Sequence, residues 1–199
     1  PKIITEIKGL RGLNVTIPYK EEIIPYLDKL SKTAEKIGAV NCITISKKKK
    51  LKGYNTDYHG FKKSIKPLLK DHHKKALILG TGGASKAIAY ALRSLKIEYD
   101  FVSRTADEFQ YKYEELDAAI FEEYTIIINT TPVGTHPNVD DCPNLDYSLF
   151  TKKHIAYDLI YNPEETAFLK KAKAQGAVTK NGYEMLVLQA EKAWKIWNE

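Results

Sequence analysis

The stretch ALILGTGGASKAIAYALRSL, residues 76–95, constrains this chain more than any other part of it. It opens on a short, wholly apolar run, the pattern of a strand covered on both faces. It closes on a helical stripe formed by Ala84, Ile88, Ala91, Leu92 and Leu95. Between the two lies GTGGAS, residues 80–85. There Gly80 permits a tight turn, Thr81 follows it, and Gly82 lets backbone approach a pyrophosphate. Small residues at Gly83, Ala84 and Ser85 keep the helix close to the sheet, with its first N–H groups aimed at phosphates. A glycine loop alone is a weak signal; its placement between strand and helix gives it meaning.

The rest of the C-terminal part repeats this alternation. EYDFVS, TIIINT, HIAYDLI and AVT read as strands, ETAFLKKAKAQG as a helix ended by glycine, and GYEMLVLQAEKAWKIWNE as a long amphipathic helix. Strands alternating with helices predict a parallel, doubly wound sheet. The first 60 residues are organised differently. GLNVTIP reads as a strand stopped by Pro18, EEIIPYLDKL as a helix with a proline interruption, and SKTAEKIG as a helix. AVNCITIS and LKGYN read as further strands, and FKKSIKPLLKDHHKK as a helix fading into a polar segment. That segment puts a domain boundary near Asp71–Lys74. The expectation is an α/β protein of two domains: a small α/β substrate domain, residues 1–71 plus 184–199, and a Rossmann-like domain, residues 72–183.

Composition removes several function classes. No apolar run reaches the roughly 18 residues of a membrane span, and nothing resembles a secretory signal. Cys42 and Cys142 have no CxxC or Cys/His spacing, so neither zinc nor a disulfide framework is expected, and a reducing, cytoplasmic setting is. His72 and His73 are adjacent and so do not face one another on a helix, which argues against a metal pair. The net charge of +6 comes from 31 basic and 25 acidic residues, with only three arginines: Arg11, Arg93 and Arg104. The densest basic run, Lys47–Lys50, lies between two strands and reads as a hairpin turn with solvated side chains. Small anionic ligands suit this field, and neither nucleic acid nor membrane is expected as a partner.

Five further segments follow strands in the sequence. An NAD-binding domain places Asp or Glu at the end of its second strand, on the ribose 2′-OH. Here Asp100 is followed by Phe101 and Val102, so it lies inside the strand, which ends instead in Ser103-Arg104-Thr105. A guanidinium and two hydroxyls suit a 2′-phosphate, so NADP is the expected cofactor. NTTPVGTHPN (129–138) and DLIYNP (158–163) follow later strands, where ligand crevices of open α/β sheets lie. In the small domain, Lys20 comes two positions after Pro18, and Asp57 follows the strand LKGY. Taken alone, Lys20 reads as solvent-facing, and Asn55, Thr56 and Asp57 as N-cap residues of a helix beginning near Tyr58. The alternative is that Lys20 and Asp57 converge on one crevice.

Eight motifs occur in an order that closely resembles the shikimate dehydrogenase family: GLNVTIPYKEE, GAVNCI, NTDxxGF, GTGGAS, SRT, NTTPVG, DLIYNPEET and NGYEMLVLQA. The resemblance implies two α/β domains with an active site in the cleft between them. It implies NADPH-dependent, reversible reduction of 3-dehydroshikimate to shikimate, in aromatic (chorismate-pathway) biosynthesis. By motif, Lys20 and Asp57 become the catalytic pair. Asn14, Thr16, Asn41, Tyr161 and Gln189 match substrate-binding positions, which Lys20 and Asp57 share. Gly80, Thr81, Gly82, Gly83 and Ala84, with Ser103, Arg104 and Thr105, match the cofactor loops; Thr130, Thr131, Leu159 and Gly182 fall toward the nicotinamide. Serine stands at 103 where the family usually has asparagine, which shortens one hydrogen-bonding arm. The family's chains begin earlier, with a strand, a helix and a Ser-x-Ser pair, so an exposed strand edge in the small domain is also expected. Two other readings stay open: a quinate/shikimate dehydrogenase using NAD, and an NADP-binding module without turnover. A homodimer is compatible with all three.

Overall fold

The computed structural model describes Ile7 and residues 9–199. The N-terminal part forms a four-stranded sheet from β1 (Gly12–Asn14), β2 (Lys29–Leu30), β3 (Cys42–Ile45) and β4 (Leu51–Tyr54), in the order β1-β3-β4-β2. β1 and β4 both run antiparallel to β3, while β2 runs parallel to β4. Two helices accompany it, α1 (Lys32–Ile37) and α2 (Asp57–Ile65). Ser31 starts α1 by accepting the Ala34 N–H, and Gly38 ends it in the left-handed conformation. The lysine run is the β3–β4 turn, closed by Ser46 N–H to the Lys50 carbonyl at 2.9 Å.

Two expectations for this part need correction. The strand predicted across GLNVTIP ends at Asn14, because residues 17–20 fold into a turn and Tyr19 N–H returns to the Thr16 carbonyl. The helix predicted over EEIIPYLDKL is a single 3-10 turn, Ile24–Tyr26, followed by β2. Pro25 removes a donor and fixes φ, so the helix does not propagate. The apolar spacing still serves the core: Ile23, Ile24, Leu27 and Leu30 pack around Ala34, Val40 and Ile43.

The C-terminal part carries β5 (Lys75–Leu79), β6 (Glu98–Val102), β7 (Gln110–Tyr111), β8 (Ile126–Asn129), β9 (Ile155–Asp158) and β10 (Val178–Lys180). They form one sheet in the order β10-β9-β8-β5-β6-β7, and every pairing is parallel. Its helices are α3 (Gly83–Ser94), α4 (Ala118–Glu123), α5 (Ala167–Ala174) and α6 (Tyr183–Asn198). Both β7 and α4 escape the sequence patterns because they are short. Asp117 nevertheless caps α4 by accepting the Ile120 N–H at 2.9 Å.

The apolar runs behave as a twice-covered sheet requires. Ile78, Ile126 and Ile128 face one layer with Ile88 and Leu92 of α3, while Leu77, Leu79 and Ile127 face Phe121, Phe150 and Phe168 on the other. Helix α2 joins the first layer: Phe61 meets the Tyr157 ring at 4.9 Å between centroids, and Ser64 Oγ lies 2.6 Å from the Tyr157 hydroxyl. α2 packs in turn against α6, so the last helix returns to the N-terminal part.

Buried histidines close the opposite end of the sheet. His154 Nδ1 accepts the Thr151 N–H at 3.0 Å, which leaves Nε2–H to donate to the Phe121 carbonyl at 2.8 Å. His73 is held in the same way by Lys70 N–H and the Lys153 carbonyl. Burial pushes both rings below the ordinary value of 6.5. The fold favours their neutral forms, so this stabilisation is present above that ordinary value and is lost as pH falls through the lowered one. We therefore expect a His154→Gln variant to lose less unfolding free energy than the parent between about pH 7.5 and about pH 5. Chemical denaturation at the two pH values checks this; identical losses would refute it.

Candidate active site

The turn that ends the first strand places Lys20 where Val40 N–H reaches its carbonyl at 2.7 Å. This backbone bond ties residue 20 to the segment carrying Asn41. The Lys20 ammonium lies 2.7 Å from Asp57 Oδ2, with only 13% and 8% of the two side chains exposed. Asp57 therefore does not cap α2. It is the first helical residue, Thr56 is the N-cap, and Thr56 makes no side-chain capping bond. Of the three candidate capping residues it is Asn55 whose Oδ1 accepts a first-turn N–H, from Tyr58 at 3.3 Å, while the Asp57 carboxylate is held elsewhere: Oδ2 by Lys20 and Oδ1 by Asn41 Nδ2 at 2.7 Å.

These groups form one wall of a cavity of about 560 Å³. Asn14, Thr16, Lys20, Asn41, Asp57, Tyr161 and Gln189 all line it. So do Ala84, Thr130, Thr131, Leu159 and Gly182. The other expected cofactor residues, Gly80 to Gly83 and Ser103 to Thr105, are not among its lining and lie along the carboxyl ends of β5 and β6. Most of the lining is apolar carbon, with a few convergent polar groups, as small-molecule sites have.

Close backbone approach explains two glycines. Gly80 has φ +99°, and a Cβ there would lie 2.9 Å from Thr131 Cγ2 and 3.1 Å from Thr130 Oγ1. At Gly182 a Cβ would fall 2.0 Å from the Leu159 carbonyl oxygen. The loops after β5, β8 and β9 and the start of α6 are thus fitted against one another around the cavity. The small-sheet side is equally near. Lys20 Cβ would stand 3.4 Å from a Cβ on Gly83, and Glu21 pairs with Lys86 of α3.

Asn129 and Asp158, which open the motifs NTTPVG and DLIYNPEET but are given no role by them, hold the loops in place. Both are fully buried at the last positions of β8 and β9. Asn129 Oδ1 accepts Thr131 N–H at 3.0 Å and Thr131 Oγ1–H at 2.6 Å, and its Nδ2 donates to Asp158 Oδ1 at 3.1 Å. Asp158 also accepts Ile160 N–H at 3.0 Å and the Thr166 hydroxyl at 2.6 Å. Burial pushes the Asp158 carboxyl up to about 6, against the pull of these donors. The signal available in the sequence was a polar residue closing each apolar strand, in IIIN and IAYD.

At the other crevice, Asp100 does lie within β6 and accepts the Tyr124 hydroxyl at 2.5 Å, so no carboxylate stands at the strand tip. Ser103 is buried, its Oγ accepting Thr105 N–H at 3.2 Å, and Arg104 is exposed between them. Gly80's tight turn and this cationic tip fit a 2′-phosphorylated dinucleotide. Among the described residues, no group of three or more His, Cys, Asp and Glu side chains is placed to hold a metal ion.

Comparison with known proteins agrees with this geometry. A family model described as the shikimate dehydrogenase substrate binding domain matches residues 1–43. The shikimate dehydrogenase (NADP(+)) of Caldanaerobacter subterraneus subsp. tengcongensis is 42% identical over 207 residues, covering 95% of this chain and 72% of that protein. The chain belongs to the shikimate dehydrogenase family. The crystal structure of shikimate dehydrogenase from Aquifex aeolicus superposes with a TM-score of 0.84 at 40% identity, over 95% of this chain and 72% of that one. The family's enzyme from Thermus thermophilus, solved in complex with NADP(H) and shikimate, gives a TM-score of 0.85 at 34% identity, over 99% and 77%. The two sheets of this chain, one small and mixed, one six-stranded and parallel, are therefore the family's fold.

The buried Asn129–Asp158 pair gives a stability prediction. Asp158→Ala leaves the Thr166 hydroxyl, Ile160 N–H and Asn129 amide without their acceptor, and should cost about 3 kcal/mol. Urea denaturation measures this, and a loss below about 1 kcal/mol would show that the loops do not depend on the carboxylate.

Proposed function

We propose that this chain is an NADP-dependent oxidoreductase that reversibly reduces 3-dehydroshikimate to shikimate. The observation that carries the proposal is the Lys20–Asp57 contact in a cavity wall that also takes in Thr130, Thr131, Leu159 and Gly182. An ammonium donor and a carboxylate thus share a compartment with the residues that would flank a nicotinamide. The Thermus relative's complex with NADP(H) and shikimate supports the same ligands here.

In this reading Gly80 to Ala84 receive the pyrophosphate, and Ser103, Arg104 and Thr105 hold the 2′-phosphate. Bound NADPH supplies the hydride for the ketone carbon. Lys20 donates a proton to the ketone oxygen as it gains charge, so the product is the alcohol and the lysine is left neutral. In the oxidative direction Lys20 takes that proton back, which higher pH favours. Asp57 orients the lysine and accepts from a substrate hydroxyl, and Asn14, Thr16, Asn41, Tyr161 and Gln189 hold the remaining polar groups. The proposed domain division is residues 1–71 plus 184–199 for the substrate domain and 72–183 for the cofactor domain. Both cysteines are free, which suits a reducing compartment such as the cytoplasm.

The test follows NADPH absorbance while shikimate or quinate is offered with NADP+ or NAD+. Turnover is expected with shikimate and NADP+; dinucleotide binding without turnover would instead mark a binding module. Lys20→Ala should lower turnover by about a hundredfold or more and leave NADP+ affinity unchanged. Parent-like turnover in that variant would remove Lys20 from the chemistry. Arg104→Ala should weaken NADP+ binding by about tenfold and leave NAD+ binding nearly as it was. Equal weakening of both cofactors would argue against a 2′-phosphate contact.

A further inference from the structure

Thr56 sits at the N-cap of α2 with no exposed surface, yet its hydroxyl does not serve the helix. An N-cap threonine ordinarily accepts an N–H from the first turn. Here the hydroxyl is turned the other way, toward two side-chain amides from distant parts of the chain. Asn41 Nδ2 approaches Thr56 Oγ1 at 2.9 Å, and Gln189 Oε1 lies 3.2 Å from it.

Counting hydrogens fixes the direction of each bond. Asn41 Oδ1 accepts the Thr56 backbone N–H at 2.6 Å, and that donor cannot become an acceptor, so the Asn41 amide has one orientation. Its nitrogen then faces Asp57 Oδ1 with one hydrogen and Thr56 Oγ1 with the other. The single Thr56 hydroxyl proton has two oxygens at 3.2 Å, Asn41 Oδ1 and Gln189 Oε1. Asn41 Oδ1 already holds a short backbone bond, while Gln189 Oε1 faces two donors, the Thr56 hydroxyl and, at 3.3 Å, Asn41 Nδ2. Gln189 Oε1 is thereby an acceptor inside the protein, and its Nε2 donates one hydrogen to the Leu186 carbonyl at 3.0 Å. The second Nε2 hydrogen has no acceptor among the described residues, and Gln189 lines the cavity.

We propose that Thr56 is a positioning residue whose hydroxyl, acting with the Leu186 carbonyl and Asn41 Nδ2, holds the Gln189 amide in place, so that the cavity meets a donor at residue 189. The same hydroxyl takes the Asn41 hydrogen that Asp57 does not use. It thus links α6 to the segment carrying Asp57, beside the direct contact of Asn41 Nδ2 with Gln189 Oε1 at 3.3 Å. A ligand hydroxyl at this point is recognised by its lone pair. For its effect on turnover the inference rests on the proposed dehydrogenase activity; for amide orientation it does not.

Two variants test it. Thr56→Val keeps the shape and the backbone N–H but removes the hydroxyl, and Thr56→Ser keeps the hydroxyl and removes the methyl. In the ligand-free protein, the side-chain NH2 resonances of Asn41 and Gln189 should shift in Thr56→Val and stay near parental positions in Thr56→Ser. With shikimate as substrate, Thr56→Val should raise KM by about tenfold while kcat changes far less, because the backbone still holds Asn41 against Asp57. NADP+ affinity should not move, and Thr56→Ser should restore KM. Parental resonances or a parental KM in Thr56→Val overturn the proposal, as does a Thr56→Ser variant equally impaired, which would assign the effect to methyl packing. If the parent does not turn over shikimate at all, the dehydrogenase reading fails, and the resonances alone decide the role of Thr56.

Discussion

The contact between the Lys20 ammonium and the Asp57 carboxylate sets the terms for the rest of this structure. Two charges taken largely out of water are costly unless each finds further partners. Asp57 has them: Lys20 on one oxygen and Asn41 on the other. Asn41 is in turn held by the backbone of Thr56, immediately before Asp57. The arrangement is a closed loop of donors and acceptors across 37 residues of sequence, and it requires the turn after β1, the start of β3 and the start of α2 to meet. The small mixed sheet is the device that makes them meet, because β1 and β4 both pair with β3.

The opposite wall is held by different means. Its loops leave the carboxyl ends of parallel strands, where the backbone ladder stops and nothing in the sheet fixes the chain. Asn129 and Asp158 replace the ladder there with side-chain bonds to Thr131, Ile160 and Thr166. The cost is a carboxylate buried among apolar strands, visible in the upward push on Asp158 to about 6. Polar groups buried for this purpose hold a loop conformation more firmly than they stabilise the fold.

Much of this was legible in the residue pattern, and the exceptions have physical causes. Apolar runs such as ALIL and TIIIN could only be strands covered on both faces, and the glycine loop after ALIL fixed the sense of the sheet. EEIIPYLDKL misleads because its apolar spacing suits a helix, while Pro25 and the short β2 impose an irregular path that buries the same side chains. The segment carrying β7 and α4 has too few residues per element to show a period. At the site, Lys20 and Asp57 are ambiguous one at a time, since abundant lysines and N-cap aspartates have ordinary explanations. What the pattern could not supply was the pairing, which depends on contacts far apart in sequence. Thr56 escapes notice for a related reason: a threonine before a helix reads as a cap, and only coordinates reveal that its hydroxyl points elsewhere.

The two walls are not independent. Glu21, next to Lys20, pairs with Lys86 on α3, the helix that begins at the glycine loop. Gly83, the first residue of that helix, faces Lys20: a Cβ there would stand 3.4 Å from Lys20 Cβ, in ordinary van der Waals contact. The cluster of Ile37, Ala39 and Ala87, flanked by Tyr58 and Tyr90, continues the same contact as an apolar seam. Residue 83 therefore stands where the glycine loop and the lysine turn meet. The spacing between the lysine turn and the glycine loop is thus held by the Glu21–Lys86 pair on one side and by this apolar seam on the other.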